Sequence, residues 1–530
     1  MGSFNRFPLT RDYINLFFLF IVAQFAGSCI DGLREQNENM VAKGKSLSEK
    51  YCQSCHLLPD PSMAPKSSWV NQILPNMGPR LGIYRFREKN YPSSKNSSYI
   101  PKGFYPQNAQ ISEEDWAALM YYFSFSAPDT LAGQDRKQPI SQHNEIFRSQ
   151  VPEAKPGNPL STFISIDSSK KQILQADGLM GNLYIYDEHL HLKDSIKVGS
   201  MVVDIYRMDG KITLCDIGII NPNDGRFGKI WQTESHLNDK KRSGLRMVAD
   251  SLRRPVQMIQ ADLNGDGKED IVLCEFGNLL GAFSWLENRG NNQYMRHVLR
   301  EVPGAIHAII QDYDHDGLPD IWVMFAQGNE EIVLFHNKGK GQFEAQEIIR
   351  FPAIFGSTHF ELMDFNGDGY TDILYSAGDN GDYSQVLKPY HGIYIFLNDG
   401  HQHFHKQFFF PMHGCFKVMA RDFDGDGDLD IAAISYFADY ASQPEEGFVY
   451  LENKGNWNYE ASTLPETQKG RWLTMDAGDL DGDGKIDLVL GNFSVGPTPI
   501  PPKTDWKKGP PFLFLKNISS RSGIQKTNAP

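Results

Sequence analysis

Cys52-Gln53-Ser54-Cys55-His56 sets two thiols three residues apart and an imidazole directly after the second. Thiols at that spacing can add across both vinyl groups of one haem, which leaves the following histidine to ligate the iron. Competing chemistries need more than this. A zinc site wants a second Cys or His pair close by, and a thioredoxin-like pair sits in a βαβ setting. The motif therefore predicts one covalent haem c, attached through Cys52 and Cys55 with His56 as the proximal ligand.

A second set of side chains recurs five times: Asp262, Asn264, Asp266 and Asp270; Asp312, Asp314, Asp316 and Asp320; Asp364, Asn366, Asp368 and Asp372; Asp422, Asp424, Asp426 and Asp430; Asp479, Asp481, Asp483 and Asp487. These are positions 1, 3, 5 and 9 of a loop with glycine at position 6. Oxygen ligands at those places, with a backbone carbonyl at position 7, describe a calcium loop. Acids packed this densely repel one another without cations, so up to five calcium ions are expected. An EF-hand would add Glu at position 12. Here that position holds Leu273, Val323, Tyr375, Ala433 and Leu490, so each loop feeds a strand. The ions then brace turns and carry no catalysis.

Each loop runs into an apolar strand and then an alternating strand ending in an Asn-Gly type turn, as in Asn288-Arg289-Gly290 and Asn453-Lys454-Gly455. Such turns close hairpins. The unit repeats every 50 to 58 residues, and two worn copies precede the five complete ones: Met208 to Cys215 keeps a shortened loop and its strand, and residues 165–186 keep only strands. Seven units fit a propeller of four-stranded blades, whose circular closure leaves no long sheet edge exposed. The last unit ends near Asn517 without a fourth strand, and residues 145–152 are expected to supply it and join the ends of the ring. Five residues ahead of each loop stand Gln257, His307, His359, Lys417 and Thr474, polar side chains in apolar stretches. Their shared register would place them around a central axis, either as a wet polar channel or as a site for a ligand or metal.

Upstream, residues 44–51 have helical spacing and run into Cys52. Ser112 with Asp115 three residues on opens a second helix, whose Trp116 to Phe123 make a broad apolar face. The first residues carry Arg6 and Arg11, an apolar run over 14–23 and small residues before Cys29, the pattern of a secretory signal too short to span a bilayer. The expected organisation is a signal over 1–28, a tether over 29–41, a helical domain over 42–127, a linker over 128–143, a propeller over 144–520 and a tail over 521–530. The 12% aromatic content with 47 Gly and 30 Pro suits many short strands joined by tight turns. A net charge of −13 without a Lys/Arg cluster excludes nucleic acid as a partner. Cys215, Cys274 and Cys415 stand singly in apolar strands and read as small buried hydrophobes.

Residues 44–123, with Gly44 and Tyr51 ahead of the CxxCH and a Trp/Tyr-rich final helix, resemble a class I cytochrome c domain. The resemblance implies a distal methionine, Met77 in Leu74-Pro75-Asn76-Met77-Gly78-Pro79, with Met63 and Met120 as alternatives. Residues 155–517 resemble the FG-GAP or VCBS repeat family, similar to the integrin α-chain propeller. Ala26-Gly27-Ser28-Cys29 resembles a bacterial lipobox, which implies acylation of Cys29, plain cleavage being the alternative. The expected fold class is multi-domain: a small all-α cytochrome c domain plus a large all-β seven-bladed propeller with calcium loops. The expected location is the bacterial periplasm or cell surface, with a lipid anchor as the sole tie to the membrane. Three functions fit. The first is electron transfer to a redox partner protein, with the propeller as a docking or binding platform. The second is a haem-linked dehydrogenase of a small molecule or sugar. The third is a propeller that binds a glycan or protein, with an accessory haem. No nucleophile, paired acids or second cofactor motif stands outside the loops, which weighs against the enzyme.

Overall fold

A computed structural model describes residues 34–520, except 154–156, 209, 235–243, 382, 499–500 and 502. The expected signal, Cys29 and the tail over 521–530 lie outside the described residues. Among the described residues, no helix is long and apolar enough to cross a membrane. The chain divides into two compact units. The smaller comprises the described residues up to Ser54, Asp60–Ser93 and Tyr105–Thr130; the larger comprises Cys55–Pro59, Ser94–Phe104 and the described residues from Leu131 onward. Within residues 42–127, the turn-rich pieces 55–59 and 94–104 group with the larger unit.

In the smaller unit, a helix over 34–51 precedes a helical run from Lys66 to Leu81 and a final helix, Glu113–Ser126. Ser112 caps the final helix by accepting the Asp115 N–H at 3.1 Å, and three acids in the first turn suit its dipole. The first helix crosses the last at Gly44. A Cβ there would meet the Ala118 carbonyl oxygen at 2.2 Å and the Tyr122 Cβ at 2.5 Å, so only glycine lets the backbones approach this closely. Lys43 pairs with Asp115 at 2.7 Å beside the crossing, Trp69 packs on Phe123 with ring centroids 4.3 Å apart, and the Trp116 indole donates to the Tyr91 hydroxyl at 3.1 Å. Gly44→Val is expected to destabilise this unit by about 1–3 kcal/mol through overpacking, read as a lower helical melting midpoint; an unchanged midpoint would refute the crossing.

Two expectations for this unit are corrected. It is not purely helical, because Arg85–Phe86 and Lys89–Asn90 pair as a short antiparallel ladder. Met77 is helical, not in the loop that Pro75, Gly78 and Pro79 around it would predict. The preceding turn, Trp69–Ile73, widens to a π-helix in which the Leu74 N–H reaches the Trp69 carbonyl. That widening accommodates Pro75, which has no N–H to give, and the helix continues through Met77 to Leu81.

The larger unit is a seven-bladed β-propeller of four-stranded antiparallel sheets. Its innermost strands are Ser161–Asp167, Val202–Met208, Pro255–Ala261, Ala305–Gln311, Ser357–Met363, Cys415–Arg421 and Trp472–Gly478, here blades 1 to 7. Second strands such as Asp270–Glu275 and Asp430–Ser435 are buried at every residue, because neighbouring blades cover both faces; this is why they read as unbroken apolar runs. Cys215, Cys274 and Cys415 are buried and free in such surroundings. Blade 7 takes its outer strand from Phe147–Gln150, which pairs with Phe512–Asn517 and closes the ring where the sequence lacked a strand. The stretch before it is packed: Ile140 is buried, and Arg136 pairs with buried Glu446 and donates to Gln443 at 2.8 Å.

Candidate functional sites

The helix over 34–51 delivers Cys52, whose N–H still bonds the Ser48 carbonyl at 2.9 Å, and a turn follows through Cys55. Cys52 and Cys55 are not joined in a disulfide. The His56 Nδ1 lies 3.1 Å from the Leu57 carbonyl oxygen, which can only accept, so Nδ1 carries the proton and Nε2 keeps the lone pair a metal needs. Burial pushes the His56 pKa down, which favours the neutral, ligating imidazole. Met77, Met63 and Met120 are each half-buried on helical turns.

The Asp-rich loops share one local design. In the loop from Asp262, the first carboxylate accepts the Gly265 and Gly267 N–H groups, both at 2.8 Å, and Asp266 accepts from Lys268 at 3.0 Å. These bonds curl the loop around its own acids. Position 6 is left-handed (Gly267 φ 79°), and position 4 is too, even where His315 (φ 60°) replaces glycine. In Asp312/Asp314/Asp316 and Asp479/Asp481/Asp483, one carboxylate oxygen from each residue lies within 4.8 Å of the others, and Asp422/Asp424/Asp430 form a like group. Each trio can hold a cation.

Position 9 has a second role that its sequence pattern hides. Asp270, Asp320, Asp372, Asp430 and Asp487 are buried, and each splits its two oxygens between backbone donors. One oxygen accepts the N–H at loop position 2, as from Leu263 to Asp270 at 3.1 Å; the other accepts the N–H of an outer-hairpin asparagine, as from Asn288 at 2.7 Å. Asn337, Asn398, Asn453 and Asn517 repeat this bond, and each sends its amide back to the carbonyl preceding position 9. Burial pushes Asp270 and Asp487 up to about 6 and Asp430 up to about 7. The loops also differ in the residue before that asparagine: Glu287, His336, Leu397, Glu452 and Lys516. Lys516 pairs with Asp481 and holds its carboxyl below the usual range, so blade 7 brings its own cation to the loop.

The axial residues occupy one register, the third position of each innermost strand, and a bulge falls just before it in all seven blades. The worn blades complete the ring with Phe163 and Asp204, which lacked the loop that marked the others. Gln257 is occupied structurally, accepting the Ala308 N–H at 2.6 Å and donating to its carbonyl at 3.2 Å. Asp204 accepts from Met258 at 2.9 Å in the same blade-to-blade manner. The His307 and His359 rings are in contact, with centroids 4.3 Å apart and planes tilted by 33°. Burial, with the charge of nearby Lys417, pushes His307 down to about 3 and His359 down as well, so both rings are neutral. The His359 Nδ1 and Thr474 Oγ1 have no hydrogen-bond partner among the described residues, and no three-ligand group forms on the axis among them. A separate cavity of about 500 Å³ opens between blades 1 and 2, lined by Ser165, Asp167, Lys170 and Arg207, where the acidic loops are worn away.

The sequence signature of the FG-GAP-like repeat matches residues 262–323, 312–375 and 422–490. These matched stretches lie in blades 3 to 7 of the seven-bladed propeller. No curated protein matches the chain. Among solved structures it is similar to Sqt1 of Saccharomyces cerevisiae, at 8% identity over 72% of this chain and 100% of that one with a TM-score of 0.43. It is also similar to the N-terminal domain of Nup159, at 12% identity over 72% and 98% with a TM-score of 0.42.

Proposed function

We propose that this chain is an exported haem c protein that transfers electrons, with the propeller as its docking and binding platform. The observation that carries the reading is Cys52-Gln53-Ser54-Cys55-His56 directly after a helix that meets a Trp/Tyr-rich final helix at Gly44. In this reading Cys52 and Cys55 would hold haem c, the Nε2 of His56 would ligate its iron, and a methionine, Met77 first, would be the second protein ligand. The haem would supply a one-electron couple; the chain's own residues hold the imidazole neutral and oriented through Leu57. Calcium in the five loops braces the platform. Its ligand is a redox partner protein, or a glycan, small molecule or protein bound at the channel around His307, His359, Lys417, Gln257 and Thr474. Acylated Cys29 tethers the protein in the periplasm or at the cell surface of a bacterium.

The test is anaerobic. The haem-loaded protein is expected to exchange electrons with a soluble cytochrome and to stay oxidised with a panel of sugars and alcohols. Reduction by a member of the panel would overturn the carrier in favour of the haem-linked dehydrogenase.

A further inference from the structure

Among the described residues, blade 4 is the one whose acidic loop forms a candidate ligand group with an imidazole. His336 precedes Asn337 in the outer hairpin, and one ring nitrogen of His336 and one oxygen each of Asp314 and Asp320 lie within 4.8 Å of one another; Asp312, Asp314 and Asp316 form an overlapping group. The ring is 13% exposed, its Nδ1 is buried without a hydrogen-bond partner, and an oxygen of Asp312 is buried and unpartnered too. The other ring nitrogen, Nε2, lies 2.9 Å from the Gln346 Oε1. The Gln346 amide nitrogen donates in turn to Gln402, which fixes that oxygen as an acceptor and puts the imidazole proton on Nε2. The Nδ1 lone pair therefore faces the Asp314 carboxylate at 4.0 Å. Two lone-pair donors facing each other at that distance repel, and it is too long for a hydrogen bond even with the ring protonated. It is close to the separation of two ligands on one ion, roughly 3–4 Å for bonds of about 2.1 Å.

We infer that the loop from Asp312 to Asp320, with His336, is a mixed nitrogen–oxygen site that selects a transition metal of the zinc type over calcium. The inference rests on the reading of these loops as cation sites. Calcium takes oxygen ligands, whereas imidazole with carboxylates suits zinc and its neighbours. Gln346 acts on His336 as outer-sphere partners act on metal-ligating histidines, setting the tautomer and the ring orientation.

Full-length protein is equilibrated with micromolar Zn²⁺ in the presence of millimolar Ca²⁺, and bound metals are counted by elemental mass spectrometry. Native protein should retain one zinc that is lost from His336→Leu, the residue type blade 5 carries here as Leu397. His336→Gln serves as a second variant that keeps a polar side chain. Calcium counted without zinc should match in all three proteins, which also reports folding. No zinc on the native chain, or equal zinc on both variants, overturns the inference. Zinc held through His336 with no calcium on any of the three would support it while refuting calcium in the other loops.

Discussion

The double variant Cys52→Ser, Cys55→Ser is expected to carry no covalent haem when produced in a host that matures c-type cytochromes, whereas the native chain keeps its haem through denaturing electrophoresis. The effect is all or none, because both thioether bonds need these sulfurs and no other cysteine pair in the chain has this spacing before a histidine. His56→Ala separates attachment from ligation: the haem should remain covalent but lose its proximal nitrogen, with the optical change that follows. Met77→Ala should lower the reduction potential, since a thioether ligand raises it, while Met63→Ala and Met120→Ala leave it in place. A native chain that shows no haem after denaturation would end the proposal, and a potential that moves with Met63 or Met120 would reassign the distal ligand.

The propeller is the part of this chain that the sequence exposes most openly. Local signals mark both ends of each repeat: a loop pattern confined to nine residues, and an Asn-Gly type turn that closes the next hairpin. Even the ring closure shows, because Asn517 arrives one strand short and Phe147–Gln150 has no partner of its own nearby. The features that stay hidden depend on partners at irregular distances in sequence. Asp320 meets Asn337 while Asp487 meets Asn517, because loops of different length intervene, so no fixed spacing announces the bond. Phe163 and Asp204 stay hidden for a related reason: the complete acidic loop is what marks the axial register, and blade 1 lacks that loop while blade 2 keeps only a shortened copy. In the smaller unit, Pro75 looks like a helix breaker until the π-turn ahead of it is seen, since nothing local encodes an extra residue in a turn.

Asp430→Ala is expected to cost about 3–5 kcal/mol, the range for stripping a buried charged acceptor of its role. The Asp430 carboxylate accepts the Phe423 N–H at 3.1 Å, the Asn453 N–H at 2.8 Å and the Tyr450 hydroxyl at 2.8 Å, so alanine leaves three buried donors without an acceptor. Asp430→Asn keeps one oxygen and should fall between alanine and the native chain. The pH dependence then separates this structural role from cation binding. Without metal, burial holds the folded-state pKa up at about 7, above the unfolded carboxylate range. The folded state binds the proton more tightly, so this contribution to stability is present in acid and is lost as pH rises through about 7. Asp270 and Asp487, each raised to about 6, act in the same direction. A cation in the loop reverses the sign, because it favours the ionised carboxylates and protons compete with it. Urea unfolding followed by tryptophan fluorescence should therefore show a midpoint that falls from weakly acidic to neutral pH in chelator and rises over the same interval with calcium. Asp430→Asn should flatten both slopes. The same falling slope with and without calcium would leave these aspartates as hydrogen-bond anchors alone, and a native midpoint in Asp430→Ala would remove even that role.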